Sequence, residues 1–330
     1  MFKRYIGDSA FNRRVVAVAL PIIVQNAITN FVSLLDNIMV GQVGTLQMSG
    51  VSIVNNLIFV FNLCIIGGCA GAGIFVAQYH GSGDHQGIRY IFRYKFLLAL
   101  LIGVLGCGLF YFASDPLIGL YLQGEGDPAE AVQVLEHGRD YLLVMLWGLL
   151  PFALTTAYSG TLRECGQPVV PMIAGIVAVF VNLILNYVLI FGHFGAPEMG
   201  VVGADIATVV SRYVELLIIV VWTHTHAKVV PFIHGAFRSL YIPWDFVKRI
   251  TIKGMPLLLN EALWSAGEGR SSSYIPPAVS RWFPQRILPP PFSIFPVWWL
   301  CPWVWRLALS WDSSRVPVHH GKSCGMPITS

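Results

Sequence analysis

Asp36 is the acidic member of a polar run, Gln25, Asn26, Thr29, Asn30, Ser33, Asp36 and Asn37, set in a segment that is otherwise apolar. In a helix turning about 100° per residue these side chains fall within one arc of roughly 140°; Ala27, Ile28, Phe31, Val32, Leu34, Leu35 and Ile38 fill the rest. The amides and hydroxyls either hydrogen-bond to neighbouring helices or line a wet cavity, and both readings fit them. A carboxylate in such a stripe is costly in lipid, so Asp36, near the outer end, either binds a cation or proton or sits solvated at the interface, and the first reading is preferred. Asn182 and Asn186 lie one turn apart and offer carbonyl oxygens to an ion. Asp205, Thr208, Arg212 and Glu215 share an arc of about 80° on another helix. Arg212 with Glu215 reads as an ion-pair ladder, whereas Asp205 and Thr208 are placed to join Asp36 around a shared site if the two helices are neighbours.

These residues must be positioned by membrane helices. Hydrophobic residues make up 55% of the chain and charged residues 12%, and the mean hydropathy is +0.65, where soluble domains carry about 25% charged residues. Apolar spans of bilayer length are expected at 15–37, 51–78, 96–113, 141–160, 169–192 and 201–222, with a seventh starting near 255. The Gly67–Gly73 run inside the second predicts a closely packed or bent helix. The first span is too long for a cleavable signal peptide and has no small-residue cleavage site after it.

Lys3, Arg4, Arg13, Arg14, Arg89, Arg93, Lys95, Arg163, Lys228, Arg238, Lys248, Arg249 and Lys253 all fall in alternate connections, against Arg139 alone in the others. By the positive-inside rule the N-terminus is cytoplasmic and the chain is a multi-pass protein of the cell membrane. The net charge of +4 reports that orientation, and no basic stripe with interleaved aromatics points to nucleic acid. Cys64, Cys69, Cys107 and Cys165 include no C-x-x-C pair and read as small buried hydrophobes. His224 and His226 read as a solvated interfacial pair rather than metal ligands.

The chain also begins one unit twice. Phe11, Arg14, Pro21 and Ala27 recur 235 residues on as Phe246, Arg249, Pro256 and Ala262, and Gln25-Asn26 returns as Asn260-Glu261. Duplicated membrane units are a common construction of secondary transporters, whose substrate lies between the copies.

Leu20-Pro21 with Gln25-Asn26, Leu35-Asp36-Asn37 through Gly41, Gln78-x-x-Gly81-x-Gly83-Asp84, Gly160-Thr-Leu-Arg163-x-x-Gly166-Gln-Pro168, Asn182-x-x-x-Asn186-Tyr and Gly203-Ala-Asp-Ile-Ala-Thr208 resemble the multidrug and toxin extrusion (MATE) family over about 1–268. The resemblance implies an all-α membrane fold of two six-helix bundles. It implies a Na+- or H+-coupled antiporter that exports drugs and other organic cations across the membrane lipid, a monomer when full length, with no cofactor besides the coupling ion. By motif it makes Asp36 the acidic cation residue and Asn182, Asn186 and Thr208 its partners; the wet face of the first helix, Gln25, Asn26, Thr29, Asn30 and Ser33, is the expected substrate cavity. Na+ at Asp36 is the one metal ion considered. Asn186 stands where some members have an aspartate, and Asp205 where an alanine is commoner, which restores a charge.

The expected organisation is a six-helix bundle over 1–235, a linker and the start of a second bundle over 236–268, and a non-native tail over 269–330. From 270 onward the chain holds ten of its 20 prolines and six of its ten tryptophans but one acidic residue, Asp312. Proline breaks every apolar stretch there. A frame-shifted tail of this kind predicts a chain inactive in transport as written. Two alternatives compete with this reading. A lipid-linked oligosaccharide flippase of the same superfamily would show several cations facing the cavity, with Arg212 the one candidate. An intramembrane aspartyl protease would use Gly81-Ser-Gly-Asp84 with Asp36, but Asp84 lies in a solvated segment, so no enzyme is expected.

Overall fold

The computed structural model describes residues 9–41, 45–122, 128–195 and 197–256. The chain divides into two compact units, Met1–Ser273 and Tyr274–Ser330; the second lies wholly outside the described residues, as do the expectations for the proline-rich tail. Within the first unit run α1 (Ser9–Gly41), α2 (Thr45–Ser82), α3 (His85–Phe112), the short α4 (Ser114–Gly119), α5 (Pro128–Glu164), α6 (Val169–Phe191) and α7 (Val201–Thr225). Residues 244–256 are again helical. Five of the helices, α2, α3, α5, α6 and α7, are long and apolar enough to cross a bilayer.

α1, α2 and α5 outrun their hydropathy spans at both ends, α3 at its start and α7 at its end, while α6 matches its span to within a residue. α3 starts at His85 rather than 96 because Asp84 caps it, accepting from the backbone N–H groups of Gln86 and Gly87 at 3.0 Å each. Gly83, at φ +74°, makes the turn before it. The Gly-Ser-Gly-Asp run is thus a turn and an exposed helix cap. Pro21 and Pro151 sit inside α1 and α5 without ending them, as membrane helices allow when neighbours satisfy the freed carbonyls.

α2, α3 and α7 pack around α5, while α6 bridges α7 and α1. One apolar core holds Val54, Phe61, Ile65, Leu142 and Leu149; the other holds Phe75, Ile88, Phe92, Tyr158, Leu162 and Ile219. Phe112, Trp147, Phe180 and Leu217 are exposed, as a lipid-facing surface requires.

The segment after α7 folds back onto the same end of the bundle. Its Phe232 and Ile233 join the second core, as does Ile250 of the 244–256 helix. Arg93, which charge alone assigned to a solvated connection, is buried inside α3 and clamps this linker. Its Nε donates to Ala236 O at 2.7 Å, Nη1 to Tyr241 O at 3.0 Å and Nη2 to Gly235 O at 2.8 Å. Arg89 Nε adds Phe232 O at 3.2 Å. The helix that opens the repeat therefore begins at 244, earlier than the expected 255, and Gly71 of the glycine run meets it backbone to backbone. A Cβ at Gly71 would lie 2.8 Å from Gly254 Cα.

Candidate functional site

A cavity of about 730 Å³ lies among α1, α2, α3, α5, α6 and α7. α1 contributes Gln25, Asn26 and Thr29; α5 contributes Phe152, Thr155, Ser159, Arg163 and Glu164; α6 contributes Gly175 and Asn182; α7 contributes Thr208, Ser211, Arg212 and Glu215; and Lys95 reaches it from α3. The wet stripe of α1 thus faces protein and not lipid along this stretch. Gly175 makes room for it: a Cβ there would sit 2.8 Å from Gln25 Nε2. Asn30, at the far edge of the polar arc, is exposed like Asn26 and Thr29 but is not among the residues that line this cavity. The side chains of Ser33 and Asp36 lie outside the described residues.

Towards the α6–α7 turn the wall is uncharged at its surface and acidic behind it. Asn182 Nδ2 donates to Thr208 Oγ1 at 3.2 Å, and Asn186 Nδ2 donates to Asn182 Oδ1 at 3.1 Å. Thr208 and Asn182 face the cavity, whereas Asn186 is 1% exposed and does not. α6 and α7 run antiparallel, joined near their turn by Met199 N donating to Leu189 O at 2.9 Å. With Asn182 opposite Thr208, this register puts Asn186 and Asp205 at one level of the interface. Asp205 is also 1% exposed, and neither carboxylate oxygen has a hydrogen-bond partner among the described residues. A bare anion there would be expensive, so its charge calls for a proton or a metal cation.

The opposite, basic end of the cavity was missed by hydropathy reading. Lys95, expected in a solvated connection, is fully buried and donates to Glu164 Oε2 at 2.5 Å. Arg163, expected beside it in another connection, donates from Nη2 to Gln25 Oε1 at 2.9 Å, and its Nε is buried with no partner among the described residues. The ladder expected between Arg212 and Glu215 does not form within 4 Å. Gly148 leaves a niche for the Arg212 stem, its carbonyl accepts from Nη1 at 3.2 Å, and the guanidinium lies 5.1 Å from the Phe152 ring centre. Opposite charges flanking two apolar spans, Lys95 before the third and Arg163-Glu164 after the fourth, were the available signal for this end. Among the described residues no group of three His, Cys, Asp or Glu is arranged to hold a metal ion.

Residues 21–188, half of the chain, match the MatE family. The chain belongs to the MatE family. Among its relatives, probable multidrug resistance protein NorM of Thermotoga maritima is 29% identical over 272 residues, covering 81% of this chain and 56% of that protein. Multidrug resistance protein PmpM of Pseudomonas aeruginosa is 27% identical over 240 residues, covering 73% and 48%. The chain therefore spans about half the length of the curated relatives it matches. A multidrug resistance MATE family transporter of the MOP superfamily, solved facing outward, superposes with a TM-score of 0.65 at 22% identity, covering 75% of this chain and 52% of that one. A MOP superfamily transporter from Pyrococcus furiosus gives 0.64 at 22%, with the same coverage. The MatE bundle seen here is thus a multi-pass, all-α membrane fold, as its motifs implied.

Proposed function

We propose that this chain is the N-terminal bundle of a Na+- or H+-coupled antiporter that exports drugs and other small organic compounds through the cell membrane, with its N-terminus cytoplasmic. The observation that carries the reading is Asp205, a carboxylate buried without hydrogen-bond donors at the level where the Thr208–Asn182–Asn186 chain ends. The coupling ion is held by Asp205, Asn182, Asn186 and Thr208, with Asp36 from α1 as the second acid. Lys95 and Arg163 join Arg212 at the cavity, more cations than the one expected there, but Lys95 is paired with Glu164, and the relatives named for multidrug resistance favour this reading over a lipid-linked oligosaccharide flippase of the same superfamily.

The mechanism is exchange. Ion and cargo each stabilise a different arrangement of the two bundles, so binding of one drives release of the other through its differential affinity. Transport needs two bundles rocking about the central cavity, and the described residues supply the first of them. In a two-bundle form, Asp205→Ala is expected to flatten the dependence of rhodamine 6G efflux on the Na+ or proton gradient. An unchanged ion dependence would remove Asp205 from the site.

A further inference from the structure

We infer that the basic end of the cavity is a subsite for an oxyanion carried on an aromatic or other apolar body. Four groups define it: Arg163, Arg212, Glu215 and the face of Phe152. Lys95 is spent on Glu164 at 2.5 Å, which leaves two guanidiniums against one carboxylate in this part of the described lining. Among the described residues Arg163 makes one side-chain hydrogen bond, to Gln25, and its buried Nε–H has no partner. An unmet buried donor on a cation is costly, and a carboxylate, sulfonate or phosphate oxygen removes that cost with a charge-assisted bond. Arg212 is held over Phe152 by the Gly148 carbonyl, which uses one of its donors and leaves a planar fork beside an aromatic surface. Glu215, one turn further along α7, makes no ion pair and disfavours a second negative charge, so the ligand is a monoanion or carries its own cationic group.

The ion site lies further along the same cavity: Asp36 is 11 positions along α1 from Gln25 and Asp205 seven positions along α7 from Arg212, about 16 Å and about 10 Å at 1.5 Å per residue, with Thr208 one turn from Arg212. The two acids thus stand apart from the guanidiniums, and the ligands meet near Thr208. That the ligand is cargo rests on the exporter reading proposed above; that it binds does not.

The test is binding, measured on the purified chain in detergent at about pH 5.5, where fluorescein is mostly a monoanion, by fluorescence anisotropy with two dyes of one xanthene shape, anionic fluorescein and cationic rhodamine 123. Fluorescein is expected to bind saturably. Arg163→Gln should weaken it at least tenfold, Arg163→Lys less, and neither should weaken rhodamine 123. Glu215→Gln, which perturbs no hydrogen bond, should tighten fluorescein several-fold and serves if the arginine variants misfold. Displacement of fluorescein by 1-naphthoate supports a soluble carboxylate as the ligand. Displacement by dihexanoyl phosphatidic acid, with no effect of dihexanoylglycerol or 1-naphthoate, supports the same subsite with a lipid headgroup as the source. Failure of fluorescein to bind, or affinity unchanged in Arg163→Gln and Glu215→Gln alike, overturns the inference. Ion binding is read without either dye, so this failure would leave the coupling-ion proposal standing.

Discussion

Removing one member of the Lys95–Glu164 pair strands the other, and the two halves are stranded unequally. Lys95 is 0% exposed and Glu164 21%, with 2.5 Å between Nζ and Oε2. At an effective dielectric constant of about 20, two unit charges at that distance attract by about 7 kcal/mol before desolvation is subtracted. Glu164→Gln leaves a fully buried ammonium without its carboxylate at the cavity wall and should cost about 3–5 kcal/mol, as other broken buried pairs do. Lys95→Met leaves a carboxylate that reaches the cavity water and should cost about 1–3 kcal/mol. Lys95→Met with Glu164→Leu removes both charges and should return stability to within about 1 kcal/mol of the parent. Equilibrium unfolding in mixed micelles, followed by helical circular dichroism, measures all three variants. Equal losses in the two single variants, or a double variant at the sum of its parts, would refute the claim that this is a closed, buried pair.

Arg93→Lys keeps the charge but loses the planar fork that holds three linker carbonyls; amide exchange across 232–241 should quicken at a cost of about 1–3 kcal/mol. Gly71→Val should push the 244–256 helix off α2, because the new side chain meets the Gly254 backbone; a lowered melting temperature with the α6–α7 site unchanged would show it. In a two-bundle form, Asp36→Asn should abolish coupled efflux of a cationic dye while membrane insertion, read by surface labelling, stays intact.

The helices were legible because long apolar runs have few alternatives in a bilayer, and the polar arc of α1 was legible because 3.6-residue periodicity sorts Gln25 and Thr29 to one side. Asn182 and Thr208 could be paired in advance only by resemblance, since nothing in either helix states the register between them. The basic end escaped because hydropathy ends a span at its first charge. Lys95 and Arg163 stop the apolar count, yet α3 and α5 continue through them: Glu164 neutralises one and Gln25 holds the other. Arg93 escaped for the same reason, its partners being backbone carbonyls, which carry no mark in the amino-acid sequence. Arg212 went to a carbonyl on α5 and the Phe152 ring rather than to Glu215, an outcome set by the missing side chain of Gly148.

The central claim is that a cation is held at Asp205 between α6 and α7. Stoichiometric binding tests it most directly, using sodium-22 on the purified chain and, in parallel, proton uptake in weakly buffered micelles recorded with a pH indicator. The parent chain should bind one of the two ions saturably, and Asp205→Asn, matched in size and neutral, should lose that binding while keeping its helical content. Undiminished ion binding by the Asn variant would contradict the account.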